Sequence, residues 1–134
     1  MDETKLIQVR DVMKTDVAII DGLRTVSEGL DMMRDRGTTV LIVKKRSEND
    51  EYGMLLITDI ARQVLAEGRA PDRVNVYEIM SKPVVTVDPN MDIRYCARLF
   101  VKYNLVRAPV VEAGQIIGMM SPYGLVMEGM TQMA

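Results

Sequence analysis

Two residues carry chemistry that their positions make usable. Asp59 stands in "LLITDI", where an apolar run gives way to a helix, and Arg107 stands inside the apolar run "VRAPVV". A carboxylate can accept hydrogen bonds from two neighbouring hydroxyls, and a charged acceptor makes the stronger bonds. A helix start also favours an acid for its own sake, through capping and the helix dipole, by about 0.3–1 kcal/mol. Arg107, taken alone, is equally suited to pairing with a surface carboxylate.

Little else in the sequence offers reactivity. Histidine is absent, which removes the commonest general base and the commonest metal ligand. Zinc sites and serine–histidine or cysteine–histidine catalysis are therefore not expected. The single cysteine, Cys96, lies beside the apolar face of its helix and reads as a buried, inert thiol. Twelve methionines, Met32-Met33 and Met119-Met120 among them, recur at core positions. They read as gap-fillers where two copies meet rather than as soft-metal ligands. No nucleophile stands beside a base. The expectation is a protein that is not an enzyme, with no metal and no obligatory cofactor.

Composition narrows the partners. The 134 residues are 48% hydrophobic with a net charge of −2, enough for a core and without the basic face that nucleic acid requires. One Phe, five Tyr and no Trp leave no platform for stacked bases. No apolar run approaches the roughly 18 residues of a membrane span. The acidic start "MDETK" is unlike a signal peptide, so the expected location is the cytoplasm.

The elements that must position Asp59 and Arg107 come in duplicate. Val9–Asp21, "VRDVMKTDVAIID", is repeated 67 positions on as "VYEIMSKPVVTVD". Thr25 with Glu28 forms a capping box, Val26, Leu30 and Met33 share a helix face, and Gly37 ends the helix. At the same offset Asp92 caps, Ile93, Ala97 and Phe100 form the face, and Asn104 stops it. Strands are predicted at Thr38–Val43 and Leu105–Val111, then from Gly53 and Gly118. The charged hairpin Lys44–Glu51 reads as a solvated loop, and a closing helix follows in each copy, over Thr58–Gly68 and from Tyr123. "RAPDRVN" reads as a polar linker. The expected organisation is residues 1–68 and 69–134, two copies of about 60 residues, each too small to stand alone. They should pack as one α/β (α+β) unit with a pseudo-two-fold axis.

A tandem β-α-β-β-α repeat with "DVM…V…D", "GMLLITDI" and "NLVRAPVV" resembles a pair of CBS domains, the Bateman module, over roughly residues 7 to 130. It resembles the stand-alone CBS-pair proteins. The resemblance implies a regulatory sensor that takes AMP, ADP or ATP, or else S-adenosylmethionine or NAD, in clefts between the copies. Asp59 would hold the ribose diol, with Thr58 partly replacing the hydroxyl missing at Leu56. The adenine wall of that cleft would be Val84, Val85, Leu105 and Val106, with Met80 and Thr86 nearby. Arg107 would face the phosphates of the other cleft, beside Val17, Ala18, Thr38 and Thr39. There Ser121 keeps the hydroxyl position, but Gly124 replaces the acid and Val40 stands at the first copy's phosphate position. The resemblance further implies a homodimer through exposed helices and a regulated partner protein. The alternative it allows is a degenerate pair that serves as a dimerisation scaffold.

Overall fold

The computed structural model describes residues 6–133. Its helices and strands are α1 (Val9–Val12), β1 (Ile19–Ile20), α2 (Val26–Arg36), β2 (Val40–Val43), β3 (Gly53–Leu56), α3 (Ile57–Ile60), α4 (Ile93–Tyr103), β4 (Ala108–Glu112), β5 (Gln115–Met120) and α5 (Thr131–Met133). Wider π-helical turns, Ala61–Leu65 and Gly124–Met130, carry the helices that follow β3 and β5. No described helix is long and apolar enough to cross a membrane.

The chain folds into two compact units that cut across the linear repeats. One unit runs from Ala18 to Val84, and the other joins residues 6–17 to residues 85–133. The cause is apolar. Ile7, Val9 and Val12 are buried in the core of the second unit with Ile93, Cys96 and Phe100. Val74, Val76 and Ile79 are buried in the first with Val26, Met33 and Leu55. Each such side chain is worth about 1.5–3 kcal/mol on burial, so each leading segment adds several kcal/mol to a unit built mostly from the other repeat. "RAPDRVN" is therefore only partly a linker, since Val74 at its end is 2% exposed.

Backbone pairing in the two units repeats at the sequence offset. In the first, β1 runs parallel to β2 and β2 antiparallel to β3, with Ile20 opposite Val43 and Ser81 bridged to Met54. In the second, Val87 stands parallel to Val110, β4 pairs antiparallel with β5, and Lys14 bridges Met119. Val26 N–H donates to the Val74 carbonyl at 2.8 Å, and Ile93 N–H to the Ile7 carbonyl at 3.0 Å. These are the same bond 67 residues apart.

The helix ends form as their residues dictate. Thr25 Oγ1 accepts from Glu28 N–H at 3.1 Å, and Glu28 returns the bond to Thr25 N–H at 2.9 Å. Asp92 accepts from Arg94 N–H at 2.8 Å. Gly37 and Asn104 both close their helices in the left-handed region, at φ 62° and 52°. The expected faces pack on the two cores, Val26, Met33, Ile93 and Phe100 buried and Leu30 and Ala97 half-buried against them; Cys96 is buried as expected, and Gly29 is buried as well. A Cβ on Gly29 would lie 3.6 Å from both Leu41 and Leu55, an ordinary packing contact, so α2 rests on the sheet at this position.

Two strand boundaries depart from expectation. β2 and β4 start at Val40 and Ala108, later than the apolar runs suggest. β5 starts at Gln115 rather than Gly118, because Ala113 and Gly114, at φ 52° and 76°, make a two-residue hairpin turn. A bulge between Val110 and Val111 takes up the resulting register change. The first closing helix begins at Ile57 and ends at Gly68, which takes the left-handed conformation at φ 67°.

Candidate functional site

Asp59 is the one buried charged side chain among the described residues, at 4% exposure. β3 runs into α3 without a loop, and Leu56, at the cap, has no side-chain acceptor to offer. Asp59 supplies it from the third helical position: its Oδ2 accepts from Leu56 N–H at 2.9 Å. Its Oδ1 accepts from Arg62 Nη2 at 2.9 Å, one turn on. A buried carboxylate without such donors would be costly. Arg62 is itself two-thirds exposed, so this ion pair opens to solvent on one side. Sequence reasoning missed Arg62, although the i, i+3 spacing after Asp59 is a readable signal.

The corresponding turn of the second repeat carries the opposite half of the same device. Gly124 N–H donates to Ser121 Oγ at 3.1 Å. A complete capping box has a hydroxyl at the cap and an acid three residues on. Here the first repeat keeps the acid with Leu56 at the cap, and the second keeps the hydroxyl with Gly124 in place of the acid.

Of the remaining predicted positions, the unit Ala18–Val84 holds Ala18, Thr38, Thr39, Thr58, Met80 and Val84. Thr39 and Asp59 belong to one end of this unit, because the Thr39 carbonyl accepts from Ile57 N–H, the first residue of α3, at 3.0 Å. Thr38 Oγ1 sits 3.2 Å from the amide of Val40, and exposed Thr58 follows directly on Ile57. Ala18 is buried, and its carbonyl accepts from Ile42 N–H. Met80 lies at the other end of the hairpin. Its sulfur would stand 2.7 Å from a Cβ on Gly53, and Gly53 is opposite Val43, whereas Leu56 is opposite Val40. Three strand residues, about 10 Å, separate those ends. The structure thus parts Met80 from Asp59.

The other unit holds Val17, Val85, Thr86, Leu105, Val106 and Arg107. Leu105 packs against its core, while Val85, Thr86 and Val106 are exposed and Val17 is half-buried. Arg107 is half-buried, and its Nη1 donates to the carbonyl of Val106 at 2.8 Å. No described carboxylate pairs with it. The expected surface ion pair is therefore not made, and the guanidinium retains free donors.

Burial pushes the Cys96 thiol up to about 11. Among the described residues no group of three His, Cys, Asp or Glu is placed to hold a metal ion.

A family model for the CBS domain matches residues 9–66 and 76–128, the two repeats. A protein of Methanopyrus kandleri is 31% identical over 117 residues, 86% of this chain; the chain spans 59% of that relative's length. The hexameric CBS-CP12 protein from bloom-forming cyanobacteria is 35% identical, with a TM-score of 0.88 over 92% of this chain and 72% of its own. The CBS domain pair of protein MJ0100, solved in complex with 5′-methylthioadenosine and S-adenosyl-L-methionine, shares the fold at 18% identity. Its TM-score is 0.81 over 96% of this chain and 99% of that one.

Proposed function

Since the chain belongs to the CBS domain family and consists of a CBS pair, a regulatory module, we propose that it binds an adenosine-containing ligand of the AMP, ADP or ATP type and passes the bound state to a partner protein. The observation that carries this reading is Asp59. It is a buried carboxylate with one donor on each oxygen. A carboxylate offers about four acceptor positions, so two remain for the vicinal hydroxyls of a ribose. Arg107, which the resemblance assigns to the other cleft, has no carboxylate partner among the described residues and carries charge suited to a phosphate there. A pair of the same fold was solved with two adenosine compounds, which supports an adenosine ligand here as well.

The test is calorimetry and thermal unfolding with AMP, ADP, ATP, NAD and S-adenosylmethionine, on the wild type and on Asp59→Ala. A ligand present at about 100 times its Kd should stabilise the wild type by about 2.7 kcal/mol. The substitution should abolish that increment, whatever it does to the unliganded melting point. If no adenosine compound moves the wild-type transition at millimolar concentration, the reading fails.

A second reading, a dimerisation scaffold, is favoured by one feature. Tyr123, Val126, Met127 and Met130 expose 51–65% of their surface around the last helical turns. Sedimentation would separate the two. A dimer that forms at the same concentration with and without adenosine compounds favours the scaffold, and a monomer at high micromolar concentration refutes it.

A further inference from the structure

The unit Ala18–Val84 contains a cavity of about 540 Å³ at the hairpin end of its sheet, away from Asp59. Its volume falls in the range of small-molecule sites. Four cations line it, Lys44, Lys45, Arg46 and Lys82, against the one carboxylate of Asp21. In a chain of net charge −2 this is a local reversal of sign. The reversal is only partly neutralised. Lys44 lies 3.4 Å from Asp21 and Lys82 2.6 Å from Asp50. Lys45 sits over the Tyr52 ring at 4.9 Å, which leaves its charge intact. The Arg46 guanidinium has no partner among the described residues; only its backbone amide is engaged, by Asp50 at 2.8 Å.

The remaining wall is apolar. Val43 and Met80 form part of it, and Leu23 and Tyr77, which line the same space, are 65% and 50% exposed. An aromatic ring left half-exposed beside converging cations suits a ligand with a planar or apolar body and an anionic head. Asp21 and Asp50 together leave an excess of two positive charges, which suits a di- or triphosphate better than a monoanion. Arg46 and the lysines are the side chains that recognise phosphate oxygens.

We propose that this cavity is a second ligand site, which takes an organic polyphosphate with its phosphates on Lys44–Arg46 and Lys82 and its body against Tyr77. The site goes beyond the adenosine reading and does not depend on Asp59, which lies past the opposite end of the β2–β3 hairpin. Lys82 now holds Asp50, so a bound phosphate competes with Asp50 for Lys82 and loosens the hairpin loop.

Titration calorimetry with sodium tripolyphosphate and with UTP, neither of which contains adenosine, tests it at low salt. Saturable binding at one per chain is expected, with UTP tighter by about tenfold through stacking on Tyr77. Tyr77→Ala should remove that preference. Arg46→Glu, at an exposed loop position where folding is not at stake, should weaken both ligands by about tenfold or more. Lys102→Glu should leave both unchanged. An absence of saturable binding overturns the proposal. So does an equal loss in Lys102→Glu, which would mean diffuse attraction. Equal affinity for UTP and tripolyphosphate overturns the organic body, and preference for a single-stranded oligonucleotide overturns the small ligand. If ATP binds like UTP and loses affinity equally in Arg46→Glu while AMP and S-adenosylmethionine fail, the adenosine reading falls and this one stands.

Discussion

Gly118 offers the sharpest test of how the leading segment is held. It lies inside β5, under Met13 and Lys14, which come from the start of the chain. A Cβ added there would meet Met13 Sδ at 2.6 Å, Met13 Cγ at 2.9 Å and the Lys14 carbonyl oxygen at 2.9 Å. The thioether can rotate away, but the carbonyl cannot. It accepts from Met119 N–H at 2.8 Å, and Lys14 N–H donates to the Met119 carbonyl at 3.1 Å. Making room means stretching that pair of bonds. Gly53 is the corresponding residue of the other unit and provides an internal control. Its nearest backbone obstacle, the Ser81 carbonyl, is 3.2 Å away, and its closest atom is the mobile Met80 sulfur at 2.7 Å. Alanine is favoured over glycine in an extended chain by about 0.5–1 kcal/mol, which works against any loss. Overpacking typically costs about 1–3 kcal/mol. Gly118→Ala should therefore destabilise by about 2 kcal/mol net and Gly53→Ala by about 1 kcal/mol or less. Urea denaturation gives both numbers, and hydrogen exchange at the Lys14 and Met119 amides should quicken in Gly118→Ala. Met13→Ala added to Gly118→Ala should recover only part of the loss, since the carbonyl contact persists. A Gly118→Ala protein as stable as the wild type, or a larger loss at Gly53, would refute the close-approach reasoning.

Two further outcomes are expected. The Asp50 carboxyl is held down to about 2, from an ordinary 3.8, chiefly by its bond to Lys82 and then by the Arg46 amide. A depressed carboxylate contributes stability above its unfolded value, so the hairpin loop should stay closed at neutral pH and release between about pH 4 and pH 2. The Asp50 carboxyl resonance followed by NMR, with Lys82→Met as the comparison, reads this directly; a midpoint near 3.8 in the wild type would deny the pairing. Cys96, buried with its thiol raised to about 11, should react with a thiol reagent at pH 8 only through opening of its unit, so mild urea should accelerate labelling strongly. Fast labelling in native buffer would contradict the burial.

Much of this fold was legible because much of it is local. Thr25 and Glu28, Gly37, Asp92 and Asn104 act within one helical turn, so a short stretch of sequence suffices to place them. Positions decided by three-dimensional packing were not. That Gly29 is fully covered while Leu30 is only half so depends on how α2 sits over Leu41 and Leu55. The start of β5 depended on a two-residue turn at Ala113–Gly114, whose alanine gives no warning of positive φ. The exchange of leading segments was invisible, since Ile7 and Val74 would suit the core of either repeat equally well. For the candidate site, Asp59 and its helix-start position were readable, whereas its burial and its bond to Arg62 were not. The charged loop Lys44–Glu51 looked like ordinary solvated sequence. Only folding sets Lys44–Arg46 beside Lys82 and Tyr77.

The exchanged segments also govern what a protease can achieve. The stretch Leu65–Arg73 is exposed throughout, and "EGRAP" within it offers a clean place to cut. A nick there leaves each unit built from both fragments and held by non-covalent bonds alone, for residues 6–17 stay stitched to Pro89, Met91 and Met119, and residues 74–81 to Gly22, Arg24 and Met54. Each fragment keeps hold of the other by a lent arm, like two hands each gripping the opposite wrist. The halves should therefore co-purify after cleavage and part only under denaturant, and a single half produced alone should lack the arm its own core needs.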